Sequence, residues 1–431
     1  MNKLEFKINQ LGAIRNSYIK IKPLMVLSGE SGLGKSYAAF LIHYIYYLLS
    51  DSNDRLKDFF VYYKKYDFDS IFANVTSGNT ILTISKKEVL DWINKDAITY
   101  IRYLIGNYDF QGDIEISFPC EYEDFEFIYT QALGGLEGQE NIIYTIKSKN
   151  ISYTMHSRRI EKTEYPFMLI LKAELRHLLF ENFTDMSSTY LLPPSRGALM
   201  EINERPAFLS GMYNEFFDFK KVLNEANPRR EEPNNDIIEC SSIVNEGKLK
   251  REEGRIIYST HGADMPLTAA ASSIKELAPL TLFLNKYSTK GVSFLFEEPE
   301  AHLHPNRQIK VADMISCIVN EGGHMQITTH SDFLIKRLNN LINLFLLKDK
   351  MEENSFKEFL SKWNIKETYL LNPENVGAYL LKRNEDGTSQ IVEQDIMADE
   401  EIPFESFYTA IEDDIALTRD IRHIKSNNYV L

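Results

Sequence analysis

Eight consecutive residues near the start of the chain have the types and spacing of a loop that binds phosphate. They are Gly29, Glu30, Ser31, Gly32, Leu33, Gly34, Lys35 and Ser36. Glycines let the main chain bend so that its N–H groups converge on one anion without Cβ clashes. The lysine supplies a positive charge for the β- and γ-phosphates, and the serine hydroxyl is a ligand for Mg²⁺. The pattern predicts a P-loop that binds ATP with Mg²⁺.

The residues on both sides of this loop predict the context that a P-loop requires. Residues 24–27 are a short apolar run that predicts a buried strand, and the apolar run 37–49 predicts a buried helix. That helix would direct the positive end of its dipole towards a bound phosphate. The alternative interpretation is a glycine-rich turn between a strand and a helix, and the context favours the P-loop.

A second group with catalytic potential follows an apolar run in the second half of the chain. Residues 292–296 predict a buried strand, and Glu297 and Glu298 follow directly. Open α/β sheets place ligand-binding groups at the carboxyl ends of their strands. Beside a P-loop this pattern indicates a Walker B strand, in which Glu297 assists Mg²⁺ binding and Glu298 is the general base for the attacking water. The alternative is an exposed acidic turn after a core strand.

Two further groups have positions that suit nucleotide chemistry. His330 follows another predicted strand, residues 324–328, where it could hydrogen-bond the γ-phosphate; a structural histidine is the alternative. Ser272 and Ser273 open a predicted helix, and hydroxyls with free N–H groups at a helix start bind anions. The two serines alone would be interpreted as N-cap residues. In the context of a P-loop they are candidates for contact with the γ-phosphate bound by a second subunit.

The composition limits the classes of partner. The chain of 431 residues has a formal net charge of −14, which argues against a general nucleic-acid coat. Residues 147–162, Arg229–Arg230 and residues 248–255 are the candidates for a local basic face, with a solvated surface as the default interpretation of each. No apolar run is long enough to span a bilayer, and the three cysteines lack metal-binding spacing. We expect a cytoplasmic protein with no membrane partner.

Sequence alternation predicts a strand-rich segment between the P-loop and the Walker B strand. A helix is predicted over residues 87–107, and the four strands predicted after it are expected to pair antiparallel. The predicted strands are residues 80–85, 113–118, 125–130, 142–146 and 151–155. Two more strands are predicted further along the chain, at residues 237–243 and 255–259.

Together these motifs resemble those of ABC-type ATPases, and more narrowly the OLD-type branch, which is related to the SMC, RecF and break-repair ATPases. The similarity lies in the P-loop, the serine-bearing helix start, the phrase Glu-Glu-Pro-Glu-Ala-His-Leu-His-Pro and the Thr-Thr-His that ends at His330. It covers residues 1–50 and 186–340. Residues 189–197 also resemble the Pro-x-Ser-Arg loop of that group.

The resemblance implies an α/β fold, that of an ABC-type P-loop NTPase with a two-lobed head, a β-rich and helical insertion and a small mixed C-terminal region. Residues 1–69 would form the N-terminal part of the head with Walker A, and residues 70–185 the insertion. Residues 186–340 would carry the signature helix, Walker B and the histidine switch. Residues 341–431 would be an α/β region that completes the head.

The resemblance also implies roles for particular residues, because in that family ATP lies between the P-loop of one subunit and the signature helix of another. Catalysis is implied for Glu298, Glu297 and His330, nucleotide binding for residues 29–36, metal binding for Ser36 and Glu297, and binding in trans for Ser272 and Ser273. Arg196 would position the signature helix or the partner's nucleotide, with a structural role as the alternative. The implied cofactors are ATP and Mg²⁺, and the implied assembly is a homo-oligomer built from ATP-sandwiched dimers.

Three functions are consistent with these features. OLD nucleases carry a TOPRIM domain after the ATPase, and residues 341–431 are too short for that module. The first hypothesis is therefore an ATPase of a two-component anti-phage system, such as PARIS or Septu, that senses DNA or a phage protein and gates a separate effector, a TOPRIM or HNH-type nuclease or a toxin. The second is a RecF-like DNA-binding clamp in repair. The third is an ATP-binding scaffold with negligible turnover.

Overall fold

The computed structural model shows a mixed α/β fold. It describes residues 4–68, 80–117, 124–134, 141–157, 164–180, 186–202, 204–224, 231–252, 254–396, 401–403, 412 and 414–423. The strands are β1 (Glu5–Leu11), β2 (Ile14–Lys20), β3 (Leu24–Gly29), β4 (Thr80–Ser85), β5 (Gly112–Ser117), β6 (Asp124–Gly134), β7 (Asn141–Lys147), β8 (Ser152–Ser157), β9 (Ser188–Leu192), β10 (Lys248–Glu252), β11 (Arg255–Thr260), β12 (Ala263–Pro266), β13 (Val292–Glu297), β14 (His324–Thr329), β15 (Val376–Arg383) and β16 (Ser389–Gln394). The helices are α1 (Lys35–Leu49), α2 (Lys57–Tyr62), α3 (Lys86–Ile105), α4 (Tyr165–Phe180), α5 (Arg196–Glu201), α6 (Gly211–Asn224), α7 (Asn235–Asn245), α8 (Ser272–Leu284), α9 (Pro305–Asn320), α10 (Asp332–Lys348) and α11 (Glu353–Lys362).

A nine-stranded sheet forms the centre of the molecule, in the order β5-β1-β2-β16-β15-β3-β14-β13-β9. The five strands from β15 to β9 run parallel, whereas β1 pairs antiparallel with both β2 and β5. Every residue of β9, β13 and β14 is buried, as expected for parallel strands that are covered on both faces. The carboxyl ends of β3, β13 and β14 therefore meet at one edge of the sheet, which is where ligands bind in such folds.

Alternate residues of the P-loop strand β3 pack into two separate hydrophobic cores. Met25 and Leu27 pack in the core that contains the buried face of α1, while Leu24 and Val26 pack in the core formed with α8, α9 and α10. α1 itself is buried nearly all round. The loop that follows β3 is consequently fixed at both ends by strongly buried elements.

The segment of residues 70–185 is divided between two sheets. β4, β6, β7 and β8 form a four-stranded antiparallel sheet, which confirms the predicted antiparallel strands. β5 is instead the edge strand of the main sheet, so the segment is not a wholly separate insertion. The reason is packing, because the buried residues Ile114 and Ile116 of β5 share a core with Phe6 and Ile8 of β1.

The C-terminal region supplies two strands to the main sheet. β15 pairs parallel with β3, in register from Val376 opposite Leu24 to Leu381 opposite Gly29. β16 returns antiparallel beside β15 and reaches β2. The P-loop strand thus lies between β14 and a strand that comes from more than 300 residues further along the chain.

The strand predicted at residues 237–243 is wrong, because these residues lie within α7. The side chain of Asn234 accepts a hydrogen bond from the N–H of Asp236 and so caps the helix. Ile237, Cys240 and Val244 are buried and recur every three or four residues, which is the period of one helix face. The strand predicted at residues 255–259 is confirmed by β11.

Cys240 and Cys317 are free and buried, and Cys120 lies outside the described residues. Among the described helices, none has both the length and the apolar character needed to cross a membrane.

Candidate active site

The predicted P-loop is the connection between β3 and α1. Gly29, Gly32 and Gly34 have positive φ values of 124°, 78° and 98°. A Cβ atom on Gly29 would lie 2.5 Å from the carbonyl oxygen of Leu381 in β15, so only glycine fits there. In the described part of the chain no side chain caps α1, which begins at Lys35. The first N–H groups of this helix are therefore available to an anion.

The ammonium group of Lys35 lies inside this loop. Its Nζ donates to the carbonyl oxygens of Gly29 at 2.9 Å and Glu30 at 2.7 Å. Burial lowers the pKa of Lys35 to about 8, although the nearby carboxylates, Glu298 first among them, act in the opposite direction. A phosphate in the loop would add a negative charge beside a partly desolvated cation, so this lysine is well placed to bind it.

β13 brings Glu297 to the carboxyl edge of the sheet beside the P-loop. Glu297 is 2% exposed, and burial raises the pKa of its carboxyl group to about 7, against the effect of a hydrogen bond from Ser36. Its Oε1 is buried and has no hydrogen-bond partner among the described residues. A serine hydroxyl and a carboxylate oxygen are the ligands that Mg²⁺ prefers, so these two residues fit the metal that a P-loop implies.

Glu298 follows Glu297 in a strained conformation. Its φ is 45°, in a region that residues other than glycine rarely adopt. Its N–H donates to the carbonyl oxygen of Thr328 at 3.0 Å, and its own carbonyl accepts from Nη2 of Arg196 at 3.2 Å. Both sides of the Glu298 main chain are thus fixed. This residue lines the same cleft as Lys35, where a carboxylate can accept a proton from an attacking water.

His330 follows β14 at the edge of the same cleft. Its Nε2 lies 3.4 Å from Oγ of Ser31 in the P-loop, and its main-chain N–H donates to Oε1 of Glu300 at 2.6 Å. Burial, with a smaller effect from Lys35, lowers the pKa of His330, so the imidazole is neutral at pH 7. A neutral ring beside the P-loop can donate one hydrogen bond to a phosphate oxygen.

Most of the predicted site residues line one cleft of about 290 Å³. Those lining it are Ser31, Gly32, Gly34, Lys35, Ser36, Glu298 and His330, together with Tyr37 and Thr328. Gly29, Glu30 and Leu33 instead line an adjacent cavity of about 400 Å³, to which His330 also belongs. The P-loop, the acid-bearing strand and the histidine therefore converge in three dimensions although they are separated by about 300 residues of sequence.

The two serines of the predicted signature do not line this cleft. They are the first two residues of α8; Ser272 is exposed, and Oγ of Ser273 accepts a hydrogen bond from Nη1 of Arg307 at 2.8 Å. Arg307 also forms an ion pair with Glu246 at 2.8 Å. Contact between these serines and a second subunit stays a prediction.

The structure describes only part of the predicted basic faces. Arg229, Arg230 and residues 158–162 lie outside the described residues. In the candidate at residues 248–255, Lys250 forms ion pairs with Glu252 at 2.8 Å and Asp264 at 3.3 Å. The positive charge of this three-stranded sheet is thus partly neutralised by its own acids.

Sequence patterns did not single out Glu300 and Arg307, which hold parts of the site in place. Oε1 of Glu300 accepts from the Thr329 hydroxyl at 2.9 Å as well as from His330, and burial raises the pKa of Glu300. The position of Glu300 in the Glu-Glu-Pro-Glu phrase is the sequence feature that could have identified it as a site residue. No local pattern indicates Arg307, because its partner Glu246 lies 61 residues away.

The sheet order and the geometry of the loop between β3 and α1 define the fold, a mixed α/β fold of the P-loop NTPase type. Residues 198–335 match the family model described as an AAA ATPase domain. That range contains Glu297, Glu298 and His330 but not the P-loop.

Three solved structures similar to this chain are SMC head domains. The SMC head domain from Thermotoga maritima has 10% identity and a TM-score of 0.34, over 92% of this chain and 100% of that chain. An SmcHead bound to the C-winged helix domain of ScpA has 12% identity and a score of 0.36, over 92% and 98%. An Smc head domain with an extended coiled coil, bound to the C-terminal domain of ScpA derived from Pyrococcus furiosus, has 13% identity and a score of 0.33, over 98% and 99%. With scores this low, the fold assignment depends on the sheet order and the P-loop geometry. No curated protein sequence matches the chain significantly.

We expect the Glu297→Gln variant to be more stable than the wild-type protein at pH 8 in the absence of nucleotide and metal. The pKa of the Glu297 carboxyl group is about 7 in the folded protein, above its ordinary value of 4.5. The free energy of unfolding therefore falls as pH rises from 4.5 to 7, and the loss persists above pH 7. A shift of this size corresponds to about 3 kcal/mol. Thermal unfolding at pH 8 and pH 4.5 measures the difference, which should vanish at the lower pH.

The exposed Glu393 provides the matched control for this comparison, because its side chain is 46% exposed. Glu393→Gln should leave the unfolding temperature nearly unchanged at both pH values. Equal unfolding temperatures for Glu297→Gln and the wild-type protein at pH 8 would contradict the conclusion that the Glu297 carboxylate is buried without a metal ion.

Proposed function

We propose that the chain is an OLD-type ATPase that binds Mg-ATP between two copies of itself and uses binding and hydrolysis to gate a separate effector in bacterial anti-phage defence. The observation that carries the proposal is the distribution of the phosphate-binding groups. The cleft contains the P-loop, Glu298 and His330, whereas the serine-bearing start of α8 is exposed and lies outside it. A second copy could supply that helix start to complete the site.

Each group in the cleft has a defined task in this proposal. The N–H groups at the start of α1 and the Lys35 ammonium bind the phosphates. Ser36 and Glu297 hold Mg²⁺, which when bound neutralises charge on the phosphates. Glu298 accepts the proton of the attacking water, and His330 donates a hydrogen bond that depends on whether the γ-phosphate is present.

The four-stranded sheet of β4, β6, β7 and β8 is the surface that we assign to signal or effector binding. Ile81 of β4 and Ile128 of β6 are direct cross-strand partners and are 61% and 37% exposed. Two neighbouring exposed isoleucines on an outer sheet face favour an interaction surface over a fully solvated one. The effector we propose is a nuclease or toxin encoded beside this chain, and the trigger is DNA or a phage protein.

The test is co-purification of the tagged chain, expressed together with its native neighbouring genes, followed by mass spectrometry. We expect a nuclease or toxin in stoichiometric amount. If the chain elutes alone as an oligomer, the gating proposal loses its support, and duplex DNA binding with and without ATP becomes the test of the RecF-like alternative.

A lysine introduced on the exposed face of the four-stranded sheet tests whether the effector binds there. We expect Ile128→Lys to abolish co-purification while phosphate release from ATP is retained. Ile243→Lys is the matched control, because Ile243 is similarly exposed at 39% but lies on α7. Equal recovery of the effector with both variants would contradict the assignment of this sheet.

A further inference from the structure

Arg196 is a completely buried guanidinium that joins three elements of the site. It is 0% exposed. Nε donates to the carbonyl oxygen of Glu276 in α8 at 2.9 Å, and Nη1 donates to Pro193 after β9 at 3.1 Å. Nη1 also donates to the carbonyl of Glu297 at 2.7 Å, and Nη2 donates to that of Glu298. One side chain thus connects the predicted signature helix with the main chain of both catalytic acids.

The contact between Arg196 and α8 is part of a close helix pair. A Cβ atom on Gly197 would lie 2.9 Å from Oε1 of Glu276, so α5 approaches α8 as closely as a glycine allows. Oε2 of Glu276 lies 3.6 Å from Nε of Arg196, and Lys275 forms a second ion pair with Glu201 at 2.6 Å. Both pairs join α5 to α8. A displacement of α8 would therefore be transmitted to Arg196.

The acid end of this connection is held under strain. Glu298 has a φ of 45°. Arg196 donates a hydrogen bond to the carbonyl oxygen of Glu298, and the N–H of Glu298 donates to the carbonyl oxygen of Thr328, so the main chain is held on both sides of this residue. The guanidinium also lies over the ring of Phe296 at 4.4 Å, which fixes its plane. Movement of Arg196 would relax the Glu298 main chain and shift its carboxylate relative to the cleft.

We propose that Arg196 is a positioning residue that couples the two ATP sites of a pair. When the start of α8 meets the partner's nucleotide, Arg196 transmits the position of that helix to the Glu297 and Glu298 main chain and so aligns Glu298 on the nucleotide of its own subunit. This inference rests on the proposed ATP-bridged pair.

The Arg196→Lys variant tests the coupling, because lysine keeps the charge but cannot reach three elements at once. We expect nucleotide affinity to stay within about twofold and the maximal rate of phosphate release to fall by up to about 100-fold, the effect of a small misplacement of a catalytic group. The dependence of rate on ATP concentration should be sigmoidal for the wild-type protein and hyperbolic for Arg196→Lys.

Arg337→Lys is the matched control for a purely structural effect. Arg337 forms a two-bond ion pair with Asp313 at 2.6 and 3.1 Å, between α9 and α10 and outside the cleft. Arg337→Lys should at most lower the unfolding temperature. It should keep both the maximal rate of phosphate release and the sigmoidal dependence of that rate on ATP concentration.

Mixed pairs provide a measurement that does not depend on the folding of Arg196→Lys. At an ATP concentration that saturates the wild-type site but not the weakened Lys35→Ala site, a mixed pair holds one nucleotide. The active subunit then receives no signal through its own α8. Coupling predicts a rate well below half that of wild-type pairs, and a rate of half would overturn the inference. Absence of any ATP turnover by the wild-type protein would instead contradict the proposed function itself, so the two failures are distinguishable.

Discussion

We expect the Glu298→Gln variant to bind Mg-ATP with wild-type affinity and to release phosphate about 10²- to 10⁴-fold more slowly, the usual contribution of a general base. Glutamine preserves the size of the side chain and the strained main chain but cannot accept the proton of the attacking water. Phosphate release under saturating ATP, together with calorimetric titration of nucleotide, separates the two effects.

Glu393→Gln is again the control, since it removes an equal charge from the exposed surface of β16. It should leave phosphate release unchanged. Normal turnover by Glu298→Gln would assign the proton acceptor to another residue, and loss of nucleotide binding would show that the substitution disrupts the cleft.

The second large effect is expected from Lys35→Ala, which should weaken ATP binding by about 10- to 100-fold. The lysine is nearly buried within the P-loop, and charge-assisted hydrogen bonds to a phosphate contribute about 1.5–3 kcal/mol. Because the first N–H groups of α1 remain, some affinity should persist. Calorimetric titration with ATP measures the loss.

Lys20→Ala is the matched lysine control, because the Lys20 side chain is 48% exposed on β2 and its ammonium group forms a surface ion pair with Glu393. Its affinity for ATP should equal that of the wild-type protein. If Lys35→Ala also binds ATP normally, the loop between β3 and α1 is not the phosphate site.

The parts of the site that sequence could predict are those whose chemistry is local. The P-loop is a continuous run of eight residues, and the spacing of its glycines follows from the main-chain angles that phosphate binding requires. Glu297 and Glu298 were predicted in the same way, from a buried strand that ends in two acids. The convergence of both motifs followed from the rule that parallel strands align their carboxyl ends.

Other features depend on partners that are distant in sequence and were therefore not predictable from one chain. β5 belongs to the main sheet because its isoleucines meet β1, about 100 residues earlier, and its alternating pattern is the same for either sheet. Residues 237–243 of α7 were predicted as a strand because a short apolar run occurs in both strands and buried helices. The network of Arg196 has the same character: the resemblance implied a link to the signature helix, but the contacts of Arg196 with the main chain of Glu297 and Glu298 were not predicted.

The proposed function requires that ATP is bound between two copies of this chain. The most direct test is the mass in solution of Glu298→Gln, by light scattering after size exclusion, with and without Mg-ATP. We expect saturating Mg-ATP to double the mass of the smallest species, and we expect Lys35→Ala to abolish this change. An unchanged mass under conditions where calorimetry shows the nucleotide fully bound would contradict the binding of ATP between two copies.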